Sequence, residues 1–337
     1  MKTIMSEKSR GKGPKGAQPS SAESVSLSDQ EVEQLRSGEF SASVVFHYLK
    51  TDYVRLQRLG LEERFESLGI TIEGIYGAEF DASRQAEILN DIAHRDIDAL
   101  VSIPIDQVAT AAAYRTVANT GTRIAFIDNV PKGFDHSQDY AGTVSSDNRG
   151  LGIFAGRVLR DTVGSGTVGL ITFDSPFYVT SAREQGALDI LTEAADVSIV
   201  TQRGFTDPQE VYDITIDILS EHPDLDGLFV SWESPPGIQA EQATKDMGQD
   251  DIAITTTDIS TETAKNIARD DFIKATGAQL PYQQGHIEAN MIGHSLLGND
   301  TPQFIASGVL PIHRENLLDL YPEYFQESPP TEITEYY

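Results

Sequence analysis

From Ser41 to about residue 312 the chain alternates apolar, β-branched runs with amphipathic runs, and this alternation constrains its fold more than any other feature. Strand, helix and strand in succession form a βαβ unit, and repeated units build a parallel sheet. Strands are predicted near 42–48, 70–75, 98–102, 123–127 and 141–144, with helices near 53–68, 83–95 and 106–120. A second series follows Asp147, opening with a helix to about Val163. It continues with strands near 167–172, 197–202, 226–230, 252–257 and 273–277, separated by helices near 180–195, 207–221, 235–248 and 260–270. A helix near 282–298 and a strand near 309–312 complete it. Five strands with helices between occur twice, so the expected class is α/β, two doubly wound parallel-sheet lobes. Strand-terminal polar residues of the two lobes would face one another across a cleft.

Composition narrows the function. There is no cysteine, which excludes a disulfide framework, a thiolate metal site and a cysteine nucleophile. Against 52 Asp and Glu stand 25 Lys and Arg, a formal charge of -27. Nucleic-acid phosphates and anionic membrane surfaces both need a basic footprint that this chain lacks. So acidic a surface is expected of a halophilic protein, kept soluble in strong salt where charge repulsion is screened. The basic residues of the first 24 positions, Lys2, Lys8, Arg10, Lys12 and Lys15, sit in a Lys, Gly, Ser and Pro-rich stretch that reads as a disordered leader to about Ser26. Ser28 and Glu31 form a capping box, so a short helix should follow. No segment reaches the roughly 18 apolar residues of a membrane span.

Several motifs lack the context their chemistry needs. Gly11-Lys12-Gly13-Pro14-Lys15-Gly16 lies in the polar leader, and Gly164-Ser165-Gly166-Thr167-Val168-Gly169 precedes a strand instead of opening a helix. Neither fits a dinucleotide site, and no cofactor is expected. His286-Ile287-Glu288 has no cysteine pair to complete a metal or deaminase site and reads as the surface of the last helix. No metal site is expected. No nucleophile elbow supports a serine hydrolase.

Two aspartates stand out. Asp128 follows Arg123-Ile124-Ala125-Phe126-Ile127, and Asp258 follows Ile252-Ala253-Ile254-Thr255-Thr256-Thr257, one in each half. Ligands of open α/β sheets bind outside the carboxyl ends of the strands, where these carboxylates would stand. The alternative for each is to cap a following helix.

These residues fall into a larger pattern. Thr51-Asp52-Tyr53-Val54, Val101-Ser102-Ile103-Pro104, Phe126-Ile127-Asp128-Asn129, Ser146-Asp147-Asn148, Thr180 to Gly186, Thr256-Thr257-Asp258 and Ala278-Gln279-Leu280-Pro281 occur in one order and spacing. Over about residues 42–320 the chain resembles the type I periplasmic sugar-binding proteins, and among them the ribose-binding group. The resemblance implies that Asp128, Arg183, Asp258 and Gln279 hydrogen-bond ligand hydroxyls, with Thr51 in the first βα loop, and that Tyr53 and Phe205 supply aromatic faces. Trp232, in Phe229-Val230-Ser231-Trp232-Glu233, replaces a ligand-binding asparagine, so ribose specificity is not carried over. Trp232 should line the cleft.

The same resemblance implies a leader over 1–41, an N-terminal lobe of 42–146 with about 280–307, a C-terminal lobe of 147–279 with about 308–325, and a tail over 326–337. A multi-strand hinge joins the lobes, with Asp147 and Asn148 at a crossing. The expected function is a monomeric, non-catalytic receptor that captures a monosaccharide or polyol by hinge closure and delivers it to an ABC permease. It would be exported to the periplasm or the extracellular face of the membrane, although no signal or anchor is evident in this sequence. Two alternatives stay open: the ligand-sensing domain of a transcriptional or chemosensory regulator, and a glycosidase using Asp128 and Asp258 as an acid and base pair.

Overall fold

The computed structural model describes residues 11–174 and 177–337. Contacts divide the chain into two compact units, Lys12–Ser146 with Leu280–Ser307, and Asp147–Gln279 with Gly308–Tyr337 and Gly11.

The first unit runs α1 (Asp29–Ser37), β1 (Ser41–Phe46), α2 (Asp52–Leu68), β2 (Thr71–Gly77), α3 (Ala82–Ala93), β3 (Ala99–Ser102), α4 (Ala111–Asn119), β4 (Arg123–Ile127) and β5 (Gly142–Ser146). The second continues with α5 (Asn148–Val163), β6 (Gly166–Phe173), α6 (Tyr178–Glu193), β7 (Val197–Phe205), α7 (Val211–Glu221), β8 (Gly227–Val230), α8 (Ile238–Asp246), β9 (Ala253–Thr257), α9 (Thr261–Arg269) and β10 (Ile273–Ala278). The chain then returns α10 (Pro281–Leu296) and β11 (Phe304–Ser307) to the first unit. The strand β12 (Leu310–His313) and the helices α11 (Leu317–Phe325) and α12 (Thr331–Thr334) belong to the second.

The two sheets have one topology. The first is ordered β11-β5-β4-β3-β1-β2 and wholly parallel. The second is ordered β12-β10-β9-β8-β6-β7, with β12 antiparallel to β10. Central strands β3, β8 and β9 are buried at every position, as in a sheet covered by helices on both faces. In each sheet the order reverses beside the first strand, between β1 and β3 and between β6 and β8, and this switch point opens a crevice at the carboxyl ends.

Each unit is also fastened by a helix pair in backbone contact. A Cβ on Gly60 of α2 would overlap the carbonyl of Tyr282 on α10, and one on Gly285 would overlap that of Gln57. In the second unit a Cβ on Gly152 of α5 would overlap the carbonyl of Arg183 on α6, and one on Gly186 that of Arg149. Glycine is required at these crossings because the backbones themselves touch.

Three expectations are corrected here. Of the supposed disordered leader, residues 1–10 lie outside the described residues, and residues 12–26 are folded as part of the first unit. Ser20 donates its N–H to the Phe304 carbonyl at 2.9 Å and pairs with Ile305, while Val25 is fully buried. The edge of β11 leaves backbone groups in need of partners, and the leader supplies them. The tail is packed as well: Ile333 is buried, and Tyr337 Oη donates to the Arg314 carbonyl at 2.7 Å. Strand β11 itself was not predicted, being only four residues long and close behind Pro302.

One buried acid gives the second unit a pH dependence. Glu241 on α8 accepts from Asn266 of α9, and burial together with the charge of Asp271 raises its pKa to about 7. The folded state holds this proton more tightly than the unfolded chain, whose reference value is 4.5. Its contribution to stability is therefore full at low pH and is lost as pH rises through the interval from 4.5 to about 7. Melting curves of wild type and Glu241→Gln across that interval should show a downward slope with pH in wild type that is smaller in the variant.

Candidate ligand site

Both conspicuous aspartates adopt backbone conformations that L-residues rarely take. Asp128, immediately after β4, has φ +57°, and Asp258, immediately after β9, has φ +64°. Each N–H is spent on the next strand, Asp128 on the Val144 carbonyl at 2.9 Å and Asp258 on that of Gly277 at 2.8 Å. The left-handed turn directs the chain away from the sheet just as its backbone hydrogen bonding ends. Such positions cost free energy and cluster where function demands them. The capping alternative fails for both: no helix lies between Asp128 and β5, and α9 is capped by Ser260, whose Oγ accepts from Thr263 N–H at 3.3 Å.

In the second unit the side chains converge on Arg183, which is 3% exposed. It reaches from α6, held close to α5 by Gly152. Its Nη1 donates to Asp258 Oδ2 at 2.7 Å and to Thr257 Oγ1 at 3.1 Å, and its Nε donates to Asn148 Oδ1 at 3.0 Å. Asn148, expected at a hinge crossing, therefore also orients the guanidinium. Asp258 Oδ1 is buried without a hydrogen-bond partner among the described residues.

An aromatic group stands at the switch point of the second sheet. Trp232 follows β8, with Phe173 at 5.3 Å and Phe205 at 5.1 Å between ring centroids. Phe205 is only 1% exposed, so it backs Trp232 and does not offer the open face expected of it. Phe173, not foreseen in the sequence, ends β6 on the other side of the switch point. Glu233 was also missed, although it adjoins Trp232. Burial and the negative charge of Asp258 push its carboxyl well above the usual carboxylate range. Gln279 is 3% exposed and directly follows β10, where the chain passes to the first unit.

In the first unit Asp128, 5% exposed, accepts from Ser145 Oγ at 2.5 Å. Asn129 beside it is fully buried, with Nδ2 3.4 Å from the Pro104 carbonyl. Thr51 is exposed and caps α2, accepting from Val54 N–H at 3.2 Å, while Tyr53 packs partly buried against the core. Strand β3 lies between β1, whose loop leads to Thr51, and β4, which ends just before Asp128. His47, just after β1, has its pKa lowered to about 4 by burial, and its ring packs against Phe80 at 4.9 Å. Asp147 caps α5, accepting from Gly150 N–H at 3.0 Å and from Gly11 N–H at 2.9 Å. No cluster of His, Asp and Glu suited to a metal ion occurs among the described residues.

Residues 42–300 match the periplasmic binding protein domain family. The chain belongs to that family. Among curated relatives of this family, it is 23% identical over 272 residues to the ribose import binding protein of Bacillus subtilis, covering 80% of this chain and 86% of the relative. It is 26% identical over 254 residues to the D-ribose/D-allose-binding protein of Pseudomonas aeruginosa, covering 74% and 77%. The fold is that of a solute-binding protein from Agrobacterium vitis bound to α-D-tagatopyranose, with a TM-score of 0.77, 19% identity and coverage of 86% of this chain and 99% of that one. A solute-binding protein from Actinobacillus succinogenes with bound D-allose gives 0.75, 18%, 83% and 99%. The two-unit parallel-sheet architecture is the type I fold of periplasmic binding proteins.

The backbone contact at Gly152 sets the position of Arg183. Gly152→Ala should drive α5 and α6 apart, at a cost of about 1–3 kcal/mol for overpacking, and displace the guanidinium from Asp258. A crystal structure of the variant should show the 2.7 Å contact lengthened.

Proposed function

We propose that this chain is the solute receptor of a sugar ABC importer and that it binds one monosaccharide or polyol without catalysing a reaction. The observation that carries the reading is the state of Asp258. One carboxylate oxygen is paired with Arg183 while the other is buried and lacks a donor among the described residues. A buried acceptor without a partner is costly, and a ligand hydroxyl would supply the missing hydrogen bond. Trp232, which follows β8 in the same unit, offers an apolar face for the C–H side of a sugar ring. Asp128 is the corresponding acceptor of the first unit, and Gln279 and Thr51 can add donors and acceptors. The receptor reading further implies export, a monomer, closure of the two units on the ligand, and a permease as partner. The names of the curated relatives, which concern ribose and allose, support the sugar class.

Trp232 is the only tryptophan in the chain, so its emission reports on ligand directly. Titration with D-ribose, D-allose, D-tagatose and L-arabinose should give a saturable change for at least one sugar, at one site per chain. Asp258→Asn keeps a partner for Arg183 and should weaken that binding at least tenfold. Asp258→Ala is the poorer test, since stranding a buried guanidinium costs about 3–5 kcal/mol.

The charge of -27 supports a protein that works in strong salt. Self-repulsion of the compact state is screened only at high ionic strength. Circular dichroism during stepwise dilution from molar to millimolar salt should show loss of structure, and a melting temperature independent of salt would exclude this adaptation.

A further inference from the structure

The segment His286-Ile287-Glu288 reads in the sequence as the surface of a helix, and in the structure Glu288 is fully buried. It projects from α10 toward α2 of the first unit, where Gln57, also fully buried, donates from Nε2 to Glu288 Oε1 at 2.6 Å. Both remaining oxygens, Glu288 Oε2 and Gln57 Oε1, are buried with no hydrogen-bond partner among the described residues. An ionised carboxylate beside an amide carbonyl would leave two acceptors bare, each a desolvation cost.

One proton satisfies both. We propose that Glu288 is a neutral carboxylic acid whose Oε2–H donates to Gln57 Oε1, closing a cyclic acid–amide pair that clasps α2 to α10. Rotating the amide by half a turn gives the same ring with the proton on the other carboxyl oxygen, so the argument does not depend on how the amide is oriented. The surroundings agree. Val54 and Leu61 of α2 and Ile287 and Met291 of α10 are buried in the same apolar cluster, and the helices touch at Gly60 and Gly285. The charged group that bears on Glu288 is Asp128, whose negative charge also disfavours a second anion there.

The clasp makes Glu288 a positioning residue. Helix α2 opens at Thr51 and Tyr53, and α10 opens directly after Gln279 and Leu280, so both helices begin at the proposed ligand end. A neutral Glu288 also avoids placing a second negative charge near Asp128, the proposed acceptor of this unit. This consequence rests on the receptor reading, whereas the protonation state does not.

Infrared difference spectra of wild type against Glu288→Gln at pH 7.5 test the proposal, because Gln keeps the shape and can pair amide to amide. The expected result is loss of a free-acid C=O band that shifts in deuterium oxide. Loss of a carboxylate band instead would overturn the proposal. Gln57→Leu provides a second reading that does not remove the carboxyl: the acid band should move to higher wavenumber as its partner disappears. An unmoved spectrum would also overturn the clasp. Sugar titration by Trp232 emission on the same samples separates the outcomes, since a failed titration strikes the receptor reading and leaves the infrared result standing.

Discussion

The second unit is organised around a guanidinium that water does not solvate. Arg183 is nearly inaccessible, and a buried cation without partners would cost several kcal/mol, so its surroundings must supply acceptors. They come from three elements: Asn148 at the start of α5, Thr257 at the end of β9, and Asp258 one residue later. The glycine contact between α5 and α6 brings the arginine within reach of all three. Packing and electrostatics are therefore one constraint, since relaxing the helix contact would expose an unpaired charge.

The first unit solves the corresponding problem differently. Its close helix pair, α2 and α10, also meets through glycines, but the group buried between them is the carboxyl of Glu288, facing an amide. At the strand ends the two units agree again. Asp128 and Asp258 share the left-handed turn and the backbone hydrogen bond to the following strand, and Asp258 is paired with Arg183 as well. A repeated architecture has thus used the same backbone device in both units.

What could be read in the sequence follows from the length scale of each signal. The βα alternation spans many residues, so eleven of the strands in the structure coincide with predicted runs, and β4 does so at both ends. Strand β11 escaped because four residues carry no periodicity, and the leader escaped because its order comes from the edge of that strand rather than from its own polar composition. Asp128 and Asp258 were legible because a strand end is visible as the end of an apolar run. Arg183 depended on resemblance, since its partners are 35, 74 and 75 residues away in sequence. Glu233 and Glu288 were passed over for one reason: hydrophilic residues on helices and loops read as solvated, and burial by distant elements leaves no local mark.

Those buried acids alter the meaning of the composition. The formal charge of -27 treats every Asp and Glu as ionised. Burial raises the pKa of Glu184, Glu233, Glu241 and Glu288, in two cases with the help of a neighbouring aspartate at the candidate site, Asp258 for Glu233 and Asp128 for Glu288. The acidic residues thus divide into two populations with opposite physics. Those outside keep their contact with water. Those inside are pushed toward neutrality, where a carboxyl can donate as well as accept, and two of them, Glu233 and Glu288, feel the charge of the two unusual aspartates.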